Sequence, residues 1–137
     1  MLSQKSKYAL KALGFLAKNH GNGPILMSII AKEKSIPLPF LENIFHELKK
    51  NDILTSHRGR FGGYTLRTDP QNISVATIIR LVNGPLAMLP CVSLNFYTSC
   101  DTCDENKCGL QNTFIEARDA LLKVLEEKTL VDIIDKD

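Results

Sequence analysis

The chain has 137 residues, 44% of them hydrophobic and 23% charged, with a formal net charge of +2. These are globular values, enough for one modest domain with an appendage. No run of about eighteen apolar residues is present to cross a membrane, and no apolar core of a signal peptide follows Met1-Leu2-Ser3-Gln4-Lys5. A cytoplasmic protein with reduced thiols is therefore expected. The charge is unevenly spread. Residues 1–70 hold eleven basic and five acidic groups, a balance of +6, and the remainder holds six and ten, a balance of −4. A basic front and an acidic back suit a module that faces DNA joined to one that does not.

In chain order, residues 3–19 read as a first helix, with Tyr8, Ala9, Ala12, Leu13 and Leu16 at helical spacing and Gly21, Gly23 and Pro24 beyond its end. Ile25, Leu26 and Met27 form too short a run to assign by pattern; a strand paired with the hairpin described next is one reading. Ser28 is expected to cap a second helix carrying Ile29, Ile30 and Ala31. Ile36-Pro37 breaks it, because a residue preceding proline is pushed out of the α region. Pro39 then sits in the first turn of a third helix, where its missing N–H costs little. That helix places Leu41, Ile44, Phe45 and Leu48 on one face and Glu42, Asn43, His46, Lys49 and Lys50 on the other. From Ile53 the period becomes that of a strand, over 53–56. His57-Arg58-Gly59-Arg60-Phe61-Gly62-Gly63 makes a turn, and a second strand carries Tyr64 and Leu66 on one side and Thr65 and Arg67 on the other.

A helix–turn–helix followed by a basic hairpin is a winged helix, and its usual ligand is duplex DNA. The candidate DNA contacts are Pro39, Glu42, Asn43, His46, Lys49 and Lys50 on the third helix, and His57, Arg58, Arg60 and Phe61 in the wing. A winged helix serving as a protein adaptor is the competing reading.

Asp69-Pro70-Gln71-Asn72 is a turn. Ser74 caps a fourth helix bearing Val75, Ile78, Ile79 and Val82, which Gly84-Pro85 ends. Periodicity then vanishes over residues 86–109, a long loop of the kind that is functional or disordered. Residues 110–128 return to a helix whose Leu110, Phe114, Ala117, Leu121 and Val124 form a near-heptad stripe, with Leu125 beside it. The stripe packs either on its own domain or on a second copy, and dimerisation is the expectation. Thr129-Leu130-Val131-Asp132 reads as a capping-box opening of a short last helix. The fold expected is thus mainly α with a small β wing: a winged helix-turn-helix domain (1–85), a cysteine-bearing sensor loop (86–109), and a dimerisation helix with its tail (110–137).

All four cysteines fall in or beside that loop, spaced Cys91-x8-Cys100-x2-Cys103-x4-Cys108. In a reduced compartment this reads as a metal site more readily than as disulfides. Cys108 precedes a helix N-terminus, where the dipole favours thiolate, while Asp101, Asp104 and Glu105 oppose it. Spacing alone leaves three readings open. Four thiolates suit zinc, irregular spacing on a loop suits an iron–sulfur cluster, and Cys100 with Cys103 forms a dithiol pair.

Several short stretches together resemble the Rrf2 family of bacterial transcription regulators. They are Ser6-Lys7-Tyr8-Ala9-Leu10, Ile30-Ala31, Phe40-Leu41-Glu42, Leu48-Lys49-Lys50, Arg58-Gly59-x-x-Gly62-Gly63-Tyr64, Ile78-Ile79, Gly84-Pro85-Leu86 and the late cysteines. The resemblance runs over nearly the whole length and implies a homodimeric winged-helix regulator acting on a double-stranded operator, with an iron–sulfur cluster on the cysteines. It implies that Glu42 accepts from a cytosine amino group, a sensible role for a carboxylate, and that Arg58 enters the adjacent minor groove. Two departures stand out. Phe61 replaces the first of three consecutive wing glycines. Gln111 and Lys7 stand where members holding a two-iron cluster place a histidine or aspartate ligand, so a fourth cysteine is the expected substitute. Zinc, or no metal at all, remains the alternative.

Enzymatic readings are weak. His20, His46 and His57 lie apart with no paired nucleophile, and Gly59, Gly62 and Gly63 lead into a strand and not a phosphate-binding helix. A thiol oxidoreductase is the one enzyme reading retained.

Overall fold

The computed structural model describes residues 2–102, 104 and 107–136. Helix α1 (Gln4–Lys18) is capped by the Ser3 hydroxyl, which accepts from Ser6 N–H. Helices α2 (Met27–Lys34) and α3 (Leu38–Lys50) form the helix–turn–helix. An antiparallel hairpin of β1 (Leu54–His57) and β2 (Gly63–Leu66) follows, in register Leu54 to Leu66 and His57 to Gly63. Helix α4 (Val75–Val82) takes the expected cap from Ser74, whose hydroxyl accepts from Thr77 N–H. Helix α5 (Gly109–Glu127) is the last long element. The mainly helical fold with its two-stranded wing is the one the pattern predicts.

Differences from that pattern are local. Helix α2 begins at Met27, and Leu26, not Ser28, occupies its cap with no side-chain hydrogen bond. The cause lies just upstream. Ile25 and Tyr64 exchange backbone hydrogen bonds of 3.0 and 2.8 Å, so the chain is already pinned to the wing when it turns into the helix. That contact is a single bridge, and residues 25–27 do not make a strand. Strand β1 starts at Leu54, one residue late, because Ile53 N–H is spent on the Leu48 carbonyl (2.9 Å) at the end of α3. Strand β2 likewise runs from Gly63 and stops at Leu66. The last element is one 3-10 turn, Leu130–Ile133, and it carries the complete capping box between Thr129 and Asp132.

The core is built on α3. Leu41, Ile44, Phe45 and Leu48 are fully buried, against Ala9, Ala12 and Leu13 of α1, Ile30 of α2 and Ile78 of α4. The break after α2 is made by Ser35 in left-handed backbone (φ 53°), which returns Ile36 N–H to the Ala31 carbonyl at 2.9 Å. Pro39 then falls within the first turn of α3, as expected.

The C-terminal tail folds back into this same core. Val75 N–H donates to the Lys128 carbonyl (2.9 Å) and Leu130 N–H to the Ile73 carbonyl (3.0 Å). Leu130 is fully buried, and the Ile133 carbonyl lies so close to Gly14 that a Cβ there would meet it at 3.1 Å. Asp135 pairs with Lys34 of α2. That hydrogen bond first, and the ammonium charge second, hold the Asp135 carboxyl below its ordinary value, with Lys11 and Lys18 adding. A depressed carboxylate stabilises the folded state at neutral pH and loses that contribution as pH falls through its folded value. Leu130→Ala should cost about 2–5 kcal/mol, as a buried leucine truncation does, read as a lower urea midpoint at unchanged slope.

Candidate DNA interface and cysteine loop

Burial of one face of α3 decides what the other face offers. Pro39, Glu42, Asn43, His46, Lys49 and Lys50 are all exposed, and at helical spacing they form one continuous ridge. Glu42 is the only acid among these six. A carboxylate in the middle of a face meant for phosphates weakens general binding, so its position is suited to accepting from a base amino group.

The wing is joined to α3 through the helix's buried side, where Tyr64 of β2 packs edge-on against Phe45, centroids 5.0 Å apart. His57, Arg58, Arg60 and Phe61 are exposed along it. The His57 Nε2 lies 2.9 Å from Thr65 Oγ1 across the hairpin, which fixes that ring in place. Gly62 N–H donates to the Gly59 carbonyl at 3.0 Å, making Arg60 and Phe61 the two central residues of a closed turn. Phe61, standing where the resemblance places a glycine, does not need positive φ. Gly59 (φ 101°) and Gly63 (φ 134°) take the left-handed conformations, and Phe61 has ordinary backbone. Gly63 also has no room for a side chain, since a Cβ would lie 2.3 Å from the Ile25 carbonyl carbon. Arg67, at the far end of the hairpin, is tied to Asp52 at 2.7 Å.

The cysteine loop joins α4 to α5. Its start is anchored by Asn83 at the end of α4, whose Oδ1 accepts from Ser3 N–H (3.1 Å) and from the fully buried Ser6 hydroxyl (3.2 Å). Sequence reasoning missed this anchor, because nothing local to Asn83 signals a partner 80 residues away. Cys91 sits in a 3-10 turn, Pro90–Val92. Arg118 of α5 donates to the Val92 carbonyl at 2.8 Å, and its guanidinium is paired with Asp119. Arg80 of α4 reaches Glu126 of α5 at 2.7 Å. Cys100 Sγ lies 3.3 Å from Thr102 Oγ1. Cys108 occupies the cap position of α5, as expected, with no side-chain cap hydrogen bond. Cys103 lies outside the described residues, as does Glu105. Cys91, Cys100 and Cys108 are each half-buried, and among the described residues no three metal-ligating side chains share one site. Thiol donors on one loop, one of them at a helix N-terminus, suit a thiophilic metal chemically, but the described residues do not form a finished cage.

On α5, Leu122 is the buried residue, turned toward its own domain. Leu110, Ala117, Leu121 and Val124 are exposed, and Phe114 and Leu125 are half-buried. The stripe therefore lies mostly on the outer side, at 59%, 44% and 53% exposure for Leu110, Leu121 and Val124.

Comparison with known proteins agrees with this geometry. The family model described as "Rrf2: Iron-dependent Transcriptional regulator" matches residues 2–136. The chain belongs to the Rrf2 family. It is 39% identical to an Rrf2-like HTH-type transcriptional regulator of Rhodobacter capsulatus, over 98% of this chain and 92% of that protein. The solved structure of CymR, titled the global cysteine regulator of B. subtilis, superposes with a TM-score of 0.80 at 30% identity, covering 98% of this chain and 95% of that one. T. potens IscR superposes at 0.75 with 27% identity, covering 97% and 85%. These relatives are named as transcriptional regulators and not as enzymes, which answers the thiol oxidoreductase reading. This Rrf2 chain is thus a winged-helix, DNA-binding regulator by family and fold.

Arg58→Ala should weaken duplex binding and flatten its salt dependence, by roughly 0.9 in the log–log slope for each phosphate that the guanidinium no longer neutralises. Glu42→Ala should instead relax the preferred sequence at one base pair, with a loss of ~1–3 kcal/mol on the preferred site. Titrations over a range of salt, and selection from a random duplex pool, separate the two effects.

Proposed function

We propose that this protein is a cytoplasmic homodimeric repressor whose affinity for a two-fold operator is set by the state of its cysteine loop, with an iron–sulfur cluster as the resident group. The observation that carries this reading is the position of the loop. It starts at the Asn83 anchor, passes through Cys91 on a turn held by Arg118, and ends at Cys108, the cap residue of α5. Whatever fixes or frees the loop acts on α4 and α5 together. Cys100, Cys103 and Cys108 would hold the cluster, with Cys91 as the fourth ligand in place of the residues that Gln111 and Lys7 replace. Bound iron and sulfide would supply one-electron redox chemistry and reactivity toward oxidants. The rest is done by the chain: Arg118 transmits the position of the Cys91 turn to α5, and α5 sets the separation of two reading heads. The description of the family as iron-dependent supports the cluster over zinc. A thiol switch without metal is the second reading, favoured by the half-buried rather than fully buried setting of the described cysteines.

The exposed stripe on α5 supports the dimer. A groove of about 330 Å³ runs beside it, between α5 and the start of the loop, with Ile79, Leu86, Met88 and Leu125 in its walls. Leu121→Asp would place an unpaired charge in that seam, at a cost of several kcal/mol, and should convert the dimer to a monomer in light scattering. Wild-type protein that sediments as a monomer at micromolar concentration contradicts the dimer. For the switch, protein purified without oxygen should contain iron and sulfide. Its operator affinity should differ from that of the apo form by ~1–3 kcal/mol, an ordinary allosteric coupling. Cys103→Ala should hold the apo value. Equal affinities would reduce the cysteines to a structural role.

A further inference from the structure

We infer that Phe61 is an apolar wedge that enters a base step beneath the wing, so that part of the sequence preference is set by how easily that step unstacks. This rests on the DNA-binding reading and assigns to the wing tip a role separate from phosphate neutralisation. Phe61 is 84% exposed, more than any other exposed large hydrophobic side chain described. It is not exposed because the tip is loose. The turn is closed by the hydrogen bond from Gly62 N–H to the Gly59 carbonyl. A Cβ on Gly62 would lie 2.4 Å from the His57 carbonyl oxygen, so the backbone beneath the tip is packed without slack. Phe61 and Arg60 are therefore presented outward from a rigid base, with the positive φ values taken by Gly59 and Gly63.

The Arg60 guanidinium stands over the Phe61 ring, 5.7 Å from its centroid, close enough for a cation–π contact. One plane for stacking and one cation for the neighbouring phosphates thus share a single tip. Side chains of this kind enter the minor groove, partly unstack a step and kink the duplex. Pyrimidine–purine steps yield most readily. A nucleic-acid partner is favoured because Arg58 and His57, both exposed, precede the tip in the chain and the polar and basic face of α3 is exposed as well. A glycine at position 61 would leave nothing to insert, so this chain should differ from a glycine-tipped wing in bending rather than in phosphate affinity.

The test uses the full-length protein and a random-sequence duplex pool. Wild-type selection should enrich TA or CA/TG steps at a fixed offset from the base pair whose preference Glu42→Ala relaxes. Phe61→Ala should lose that step preference and keep the rest of the site. On the wild-type-selected duplex, labelled at both ends, energy transfer should report a bend with wild type and with Phe61→Leu, and little bend with Phe61→Ala. Phe61→Ala should also bind roughly tenfold more weakly, the order of a single mismatched base pair. The same step preference and the same bend in wild type and Phe61→Ala would overturn the wedge while leaving DNA binding intact. A wild type that selects no sequence and binds without salt dependence would overturn the DNA-binding reading itself.

Discussion

Leu41, Ile44, Phe45 and Leu48 leave solvent completely on one side of α3, and the orientation of its exposed polar ridge follows from that burial. Each such side chain contributes about 1.5–3 kcal/mol in area terms, so the helix cannot roll without exposing several of them at once. Its outer ridge is fixed in consequence. Phe45 also carries the edge contact to Tyr64, and Tyr64 holds Ile25 by two backbone hydrogen bonds. Helix α3, the wing and the entry to α2 are therefore joined by direct contacts.

Helix α5 is held differently. Its outer stripe has little of its own domain to cover, yet its C-terminal end is fastened by the return of Leu130 to the core and by the backbone hydrogen bond between Val75 and Lys128. Its N-terminal end follows directly from the cysteine loop, with Cys108 at its cap. Arg118 ties the middle of α5 to the Val92 carbonyl in the loop, and Glu126 near its far end pairs with Arg80 of α4. The charge asymmetry adds a contrast between the basic front half and the acidic half that holds the loop and α5.

Much of this was legible from residue pattern. The 3.6-residue period of α3 is strong because its inner positions are Leu, Ile, Phe and Leu without interruption, and Ser74 and Thr129 cap where local hydrogen-bonding chemistry says they should. The start of α2 was not legible, because Ser28 is a better cap by side chain than Leu26 and only the distant bridge to Tyr64 overrides it. Which wing residues carry positive φ was not legible either, since a run of glycines does not say which of them needs it, and only Gly59 and Gly63 do. The tail was the larger omission. Residues 129–134 carry a capping signal but no sign that Leu130 belongs to the core formed by residues 9–78. The anchor between Asn83, Ser3 and Ser6 was equally silent, being made by polar groups whose partners lie far off in the chain. For the cysteines, spacing limits the ligand chemistry without choosing among cluster, zinc and thiol pair, and Cys103 falls outside the described residues.

If the ridge of α3 and the wing together form the surface that meets the duplex, both must lose solvent access when DNA is added. Hydroxyl-radical labelling of the protein, read residue by residue by mass spectrometry with and without a random-sequence duplex pool, tests this most directly. Protection on adding DNA should appear at His46, His57 and Phe61, while Met88 and Leu94 in the cysteine loop keep their labelling. Protection confined to the loop or to α5, with His46 and Phe61 unchanged, would contradict that assignment.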